Sequence, residues 1–121
     1  MKYSLLANGH RIAYSASARP NSTIPLVLLH GFCEDSTIWA PVLPRLRKLR
    51  TVCIDLPGFG GSGQPLAPGM EACSEAVCAV LNELGAERCV LAGHSMGGYA
   101  ALAFARNHPE RLAGLALVHS H

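Results

Sequence analysis

The residues with the clearest chemical potential lie in one stretch, Cys89 to Tyr99, which reads CVLAGHSMGGY. An apolar, β-prone run ends in Gly93-His94-Ser95-Met96-Gly97, and a run of small helix-compatible residues follows at once. The spacing G-x-S-x-G has a mechanical reason. A serine carried from a strand into a helix through one sharp turn is held in a strained backbone, with its hydroxyl raised above the sheet. Glycine fits two residues before and after it because side chains there would collide. The helix behind Ser95 aims its first N–H groups and the positive end of its dipole at the same spot. One turn thus supplies an attacking oxygen and a place for negative charge to develop. The plain alternative is a strand-to-helix turn that happens to contain a serine.

A second stretch, His30-Gly31-Phe32, ends an apolar run, Pro25 to Leu29. In open parallel sheets ligands sit beyond the carboxyl ends of the strands, so this stretch and Ser95 share one edge. Gly31 permits close approach of the backbone. The backbone N–H of Phe32, with that of Met96, is the expected pair of donors to a tetrahedral oxyanion; the alternative for Phe32 is a core anchor after a tight turn.

Other chemical patterns carry less. Gly58, Gly60 and Gly63 satisfy G-x-G-x-x-G after a strand, but Pro65 and Pro68 prevent a helix from opening there, which argues against a dinucleotide site. Asp55 reads as the cap of that glycine loop, with orientation of a histidine as the alternative. His94 is adjacent to Ser95 and points away from it, a packed support rather than a base. His119 and His121 lie on the correct edge to serve as a base, but form no metal set, since a third ligand with recognisable spacing is lacking. His10 and His108 read as surface turn residues. Cys33 reads as a wall of the oxyanion site rather than as a nucleophile.

The elements that position these residues follow from pattern. Lys2 to Leu6 and Arg11 to Ala16 read as strands around Asn8-Gly9, a hairpin signal. Pro25 to Leu29, Thr51 to Ile54, Cys89 to Leu91 and Leu112 to Val118 are apolar without alternation. Such strands belong inside a sheet covered by helices on both sides. Helical spacing of apolar residues runs over 36–49, despite Pro41 and Pro44, over 69–84 with Gly85 as a stop, and from Ser95 to about Asn107. Alternating strands and helices give the class α/β, with a mostly parallel central sheet flanked by helices.

Composition agrees with one small domain over 1–121. Half the residues are hydrophobic, 15% are charged, and the net charge is +2. Arg45, Arg47, Lys48 and Arg50 cluster without interleaved aromatics, which fits the solvated end of a helix and not a nucleic-acid surface. Five cysteines without a C-x-x-C pair read as reduced thiols. The apolar stretch near the first residue is too short for a signal peptide, and no run approaches a membrane span; the expected location is the cytoplasm.

The motifs together resemble the α/β-hydrolase family. Leu28-Leu29-His30-Gly31-Phe32 is similar to its oxyanion loop after the third strand. Asp55-Leu56-Pro57-Gly58-Phe59-Gly60-Gly61-Ser62 resembles its D-x-P-G-x-G-x-S loop after the fourth. Gly93-His94-Ser95-Met96-Gly97-Gly98 resembles its nucleophile elbow after the fifth, and His108-Pro109-Glu110-Arg111-Leu112 its turn into the sixth. The resemblance implies a serine hydrolase of esterase or lipase type. Ser95 is then the nucleophile, and the N–H groups of Phe32 and Met96 form the oxyanion hole. His30, Gly31, Gly93, His94, Gly97 and Gly98 support the motifs. The reaction is acyl transfer from a small-molecule ester-like substrate to water, with no metal or cofactor. A serine at this position argues against the haloalkane dehalogenase branch, which uses aspartate.

The resemblance stops at the sixth strand. In the family the acid and histidine follow the seventh and eighth strands, and a cap lies before the seventh. On this reading the chain is a partial domain, truncated before its base, acid and cap. It is weak or inactive alone, or a non-catalytic binding module. Leu112 to Val118 is then an uncovered apolar edge, open to self-association or to a complementing chain.

Overall fold

The computed structural model of the chain describes residues 2–7, 9–17, 24–32, 34–63 and 69–118. Strands β1 (Lys2–Ala7) and β2 (His10–Ala16) form an antiparallel hairpin in which Ala7 faces His10. Asn8 lies outside the described residues, while Gly9 takes the positive φ of 82° that a tight hairpin needs. Next come β3 (Leu26–Leu29), β4 (Thr51–Ile54), α1 (Met70–Leu84), β5 (Cys89–His94), α2 (Met96–Asn107) and β6 (Leu112–Val118).

The six strands make one sheet in the order β1-β2-β4-β3-β5-β6. The β1–β2 and β2–β4 pairs are antiparallel; β4–β3, β3–β5 and β5–β6 are parallel. From β3 the chain moves to β4 on one side; from β5 it moves to β6 on the other. The direction of winding therefore reverses between β3 and β5, whose parallel register places Leu29 beside Gly93. A crevice opens at such a reversal because the loops leaving the two strands diverge.

Each central strand is apolar on both faces, as expected. Val27, Leu29, Val52, Ile54, Cys89 and Leu91 join one core with Val77, Val80 and Leu81 of α1 and Phe104 of α2. Leu28, Cys53 and Ala92 face the opposite side, where Trp39 covers them. Both α-helices thus lie on one face, where sequence pattern predicts helices on both.

The cause is local. In place of a helix over 36–49 there are two short 3-10 turns, Ser36–Trp39 and Leu43–Leu46. Proline lacks a donor, and its ring clashes with the carbonyl four residues earlier, so Pro44 bars an α-helical turn through Ala40. Asp35 caps the first turn, its carboxylate accepting the Thr37 N–H at 2.9 Å. The basic cluster is also not all solvated: Arg50 is buried, within 3.5 Å of the Leu84 carbonyl.

Helix α1 ends as predicted, on Gly85 in the left-handed region at φ 68°. Strand β6 closes one side of the sheet. Leu115, Leu117 and Val118 are exposed on it.

Candidate active site

Ser95 sits at the turn between β5 and α2 with φ 55° and ψ −116°, and among the described residues it alone combines a side chain with positive φ. Such a conformation costs on the order of 1–3 kcal/mol and persists only where the surroundings enforce it. Those surroundings are explicit. The Ser95 N–H donates to the Val118 carbonyl at 3.1 Å, and the Ser95 carbonyl accepts the Gly98 N–H at 2.9 Å.

The glycines flanking the serine are required by packing. A Cβ on Gly93 would lie 2.2 Å from the Gly97 carbonyl oxygen. One on Gly97 would lie 2.4 Å from the Leu29 oxygen and 2.6 Å from that of His30. The first turn of α2 is therefore pressed onto the end of β3, a contact that backbone alone can make. Gly98 is buried in the same turn, and Met96, at the first helical position, packs partly against the main core.

The loop after β3 meets the serine directly. A Cβ on Gly31 would fall 3.2 Å from the Ser95 Cβ and 3.3 Å from the His94 carbonyl oxygen. His30 anchors this loop from beneath. It is fully buried, its Nε2 accepts the Leu56 N–H at 2.8 Å, and its Nδ1 lies 2.7 Å from the Gly31 carbonyl. The Leu56 donor forces the imidazole proton onto Nδ1, which donates to Gly31. One neutral histidine thus pins the ends of β3 and β4 together.

Phe32 is not a core anchor. Its side chain is 68% exposed and meets Phe59 edge-on at 5.8 Å. Phe59 in turn stands edge-on to His30 at 5.5 Å, so the glycine loop after β4 packs beside the loop after β3. Asp55 holds that glycine loop, as read from the sequence: its Oδ2 accepts the Gly61 N–H at 2.9 Å and its Oδ1 accepts the Ser36 N–H at 2.8 Å.

His94 is held as a support. Its ring is edge-on to Trp39 at 6.4 Å, and its Nδ1 lies 3.2 Å from Glu34 Oε1. Glu34 went unnoticed in the sequence. The same Oε1 accepts the Gly31 N–H at 2.7 Å, while the Glu34 N–H returns to the Gly31 carbonyl at 3.3 Å. The backbone bond closes a tight turn, and the Glu34 side chain reaches back three residues to the amide that opens it; the spacing G-x-x-E after the strand was the signal that could have revealed it.

Cys33, His119, His121, Pro65 and Pro68 lie outside the described residues. Of the other histidines, His10 is the first residue of β2 and not a turn residue, and His108 leans on Phe104 with ring centroids 5.3 Å apart. Cys53, Cys73, Cys78 and Cys89 are free and buried. Burial pushes the thiols of Cys53 and Cys73 up to about 11 and that of Cys89 up to about 12, well away from thiolate chemistry at neutral pH. Among the described residues no cluster could hold a metal ion, and no helix is long and apolar enough to cross a membrane.

Comparison with known proteins finds relatives of this fold. A family model of the alpha/beta hydrolase fold matches residues 24–121. A pimeloyl-[acyl-carrier protein] methyl ester esterase from Aeromonas hydrophila is 42% identical over 100 residues, covering 78% of this chain and 37% of its own. A fluoroacetate dehalogenase from a Burkholderia species is 38% identical over 100 residues, covering 77% and 33%. Among solved structures, a thermophilic esterase from Thermogutta terrifontis superposes with a TM-score of 0.87 at 34% identity, covering all of this chain and 46% of the other. The chain spans less than half the length of each of these relatives.

Proposed function

Since the chain belongs to the α/β-hydrolase family, we propose that it carries the nucleophile and oxyanion hole of a serine hydrolase acting on an ester-like acyl bond. The observation behind this is Ser95 itself, a non-glycine residue held at φ 55° between a buried strand and a helix start, with the Gly31 loop against its Cβ. Relatives in the family include an esterase and a dehalogenase. Serine, and not aspartate, at the elbow favours acyl transfer.

In the proposed reaction Ser95 Oγ attacks the substrate carbonyl carbon and passes its proton to a base. The oxygen gains a negative charge, received by the N–H groups of Phe32 and Met96. Collapse expels the alcohol, which takes the proton back from the base, and water then hydrolyses the acyl-enzyme by the same steps. The base and its acid partner come from a complementing segment with a late Asp and a late His, or the base is His119 or His121. An elbow serine without its base works slower by several powers of ten, so labelling at Ser95 reports whether a base reaches it.

The test is fluorophosphonate labelling of the purified chain, read by intact mass, with Ser95→Ala as control. A single adduct that disappears in Ser95→Ala is the expected result. No adduct on a chain with native near-UV dichroism would overturn the reading. It would favour the second one, a non-catalytic hydrolase-like module that binds a partner along β6, where Leu115, Leu117 and Val118 are exposed.

A further inference from the structure

We propose that Glu34 is a positioning residue whose single oxygen, Oε1, staples the loop after β3 to the turn after β5 by holding the Gly31 N–H and the His94 ring together. The proposal rests on the serine-hydrolase reading, since the two segments it joins carry the two donors assigned there. Gly31 directly precedes Phe32, and His94 lies two residues before Met96. The gap between the donor groups therefore depends on how Gly31 is held against His94, alongside the packing of Gly97 on the end of β3.

The geometry is specific. Gly31 N–H to Oε1 is 2.7 Å, and His94 Nδ1 to the same oxygen is 3.2 Å. The two partners are 63 residues apart in sequence: Gly31 lies two residues past β3, and His94 ends β5, the parallel strand beside it. A turn-capping role for Glu34 accounts for Gly31 and for the returning Glu34 N–H, but not for His94. The imidazole is also confined from a second direction by the edge-on Trp39. With Glu34 only about a third exposed, the paired contacts are shielded more than a surface ion pair would be.

The carboxylate comes at an electrostatic cost. A negative group next to a site built for an oxyanion opposes that charge, so only its acceptor geometry serves the reaction. Glutamine offers the same acceptor without the charge. This separates positioning from charge stabilisation.

The experiment compares wild type, Glu34→Gln and Glu34→Ala in the full 121-residue chain. It uses two readouts, amide hydrogen exchange at Gly31 by NMR and the rate of fluorophosphonate labelling at Ser95. In Glu34→Ala, Gly31 exchange is expected to rise by about tenfold or more while Val27 to Leu29 stay protected, because the opening is local. Labelling slows by about tenfold or more as one donor is misplaced. Glu34→Gln restores both to within about threefold of wild type, or labels faster, as removal of the adjacent charge favours the oxyanion. Gly31 exchange or labelling that is unchanged in Glu34→Ala overturns the proposal, and so does a Glu34→Gln variant that fails like Glu34→Ala. If Glu34→Ala loses protection throughout β3, Glu34→Asp, one methylene too short to reach both partners, takes its place with the same expected loss. Failure of the wild type to label removes the hydrolase reading, and the Gly31 exchange result then decides the staple by itself.

Discussion

Ser95 shows how much a single residue can be asked to bear. Its φ of 55° and ψ of −116° suit glycine, yet a serine occupies the position. If the strain is held for the sake of the hydroxyl, removing the side chain should return it as stability. Ser95→Gly is expected to raise the urea midpoint relative to Ser95→Ala, by an amount equivalent to about 1 kcal/mol, since alanine keeps the Cβ that conflicts with the backbone and glycine does not. Equal midpoints for the two variants would show that no strain is stored. The glycines around this serine were legible in the sequence because their spacing states a purely local demand. Glu34 was not, because its second partner, His94, is brought to it only by the pairing of β3 with β5.

The thiols are a second residue-scale case. Cys53, Cys73 and Cys89 are held at about 11, 11 and 12 against an ordinary value of 9.0, chiefly by burial. Raised values in the folded state mean that folded thiols keep protons that unfolded ones release. Their contribution is therefore complete below about pH 9 and is lost as pH climbs toward 11–12. Urea midpoints measured across the alkaline range should fall with this onset, and Cys89→Ala should flatten the slope. A slope unchanged in that variant would contradict the assignment.

At the scale of elements, α1 depends on how it stops. Gly85 closes it at φ 68°, and a Cβ built there meets nothing within 4 Å. Any penalty for a side chain is thus conformational and not steric. Gly85→Ala is expected to destabilise the chain by about 1 kcal/mol, read from the denaturation midpoint, and Gly85→Asn by less, because asparagine tolerates the left-handed region. The hairpin, the buried strands, α1 and α2 were all legible from turn residues and apolar period. The segment 36–49 was not. Ile38, Trp39, Val42, Leu43, Leu46 and Leu49 repeat at helical intervals, and all but Val42 and Leu49 pack as that spacing suggests. The period of an apolar stripe reports which residues turn inward; Pro41 and Pro44 decide that the backbone gets there by 3-10 turns. The placement of both helices on one face follows from this same substitution of turns for a helix.

For the whole molecule the controlling feature is the β6 side of the sheet. β6 pairs only with β5 among the described strands, and Leu115, Leu117 and Val118 are between 36% and 45% exposed. Natural sheet edges usually carry charge, proline or a covering element, and an apolar edge recruits other strands. The chain is expected to elute as a concentration-dependent dimer or larger species in size-exclusion chromatography with light scattering. Leu115→Lys with Leu117→Lys should return it to a monomer by placing charge on the pairing face. A wild-type monomer at all concentrations would rule out association through this edge.

The hydrogen bond from Ser95 N–H to the Val118 carbonyl ties these scales together. The amide that opens the strained turn is, among the described residues, the last rung between β5 and β6, so the rim of the sheet and the serine share one bond. Were a strand to dock on β6, it would steady that rung as well as the edge. Coupling of this kind runs both ways by thermodynamic necessity. A reversible ligand on Ser95 that needed the turn intact would then tighten binding at the rim by the same factor by which an occupied rim tightened the ligand.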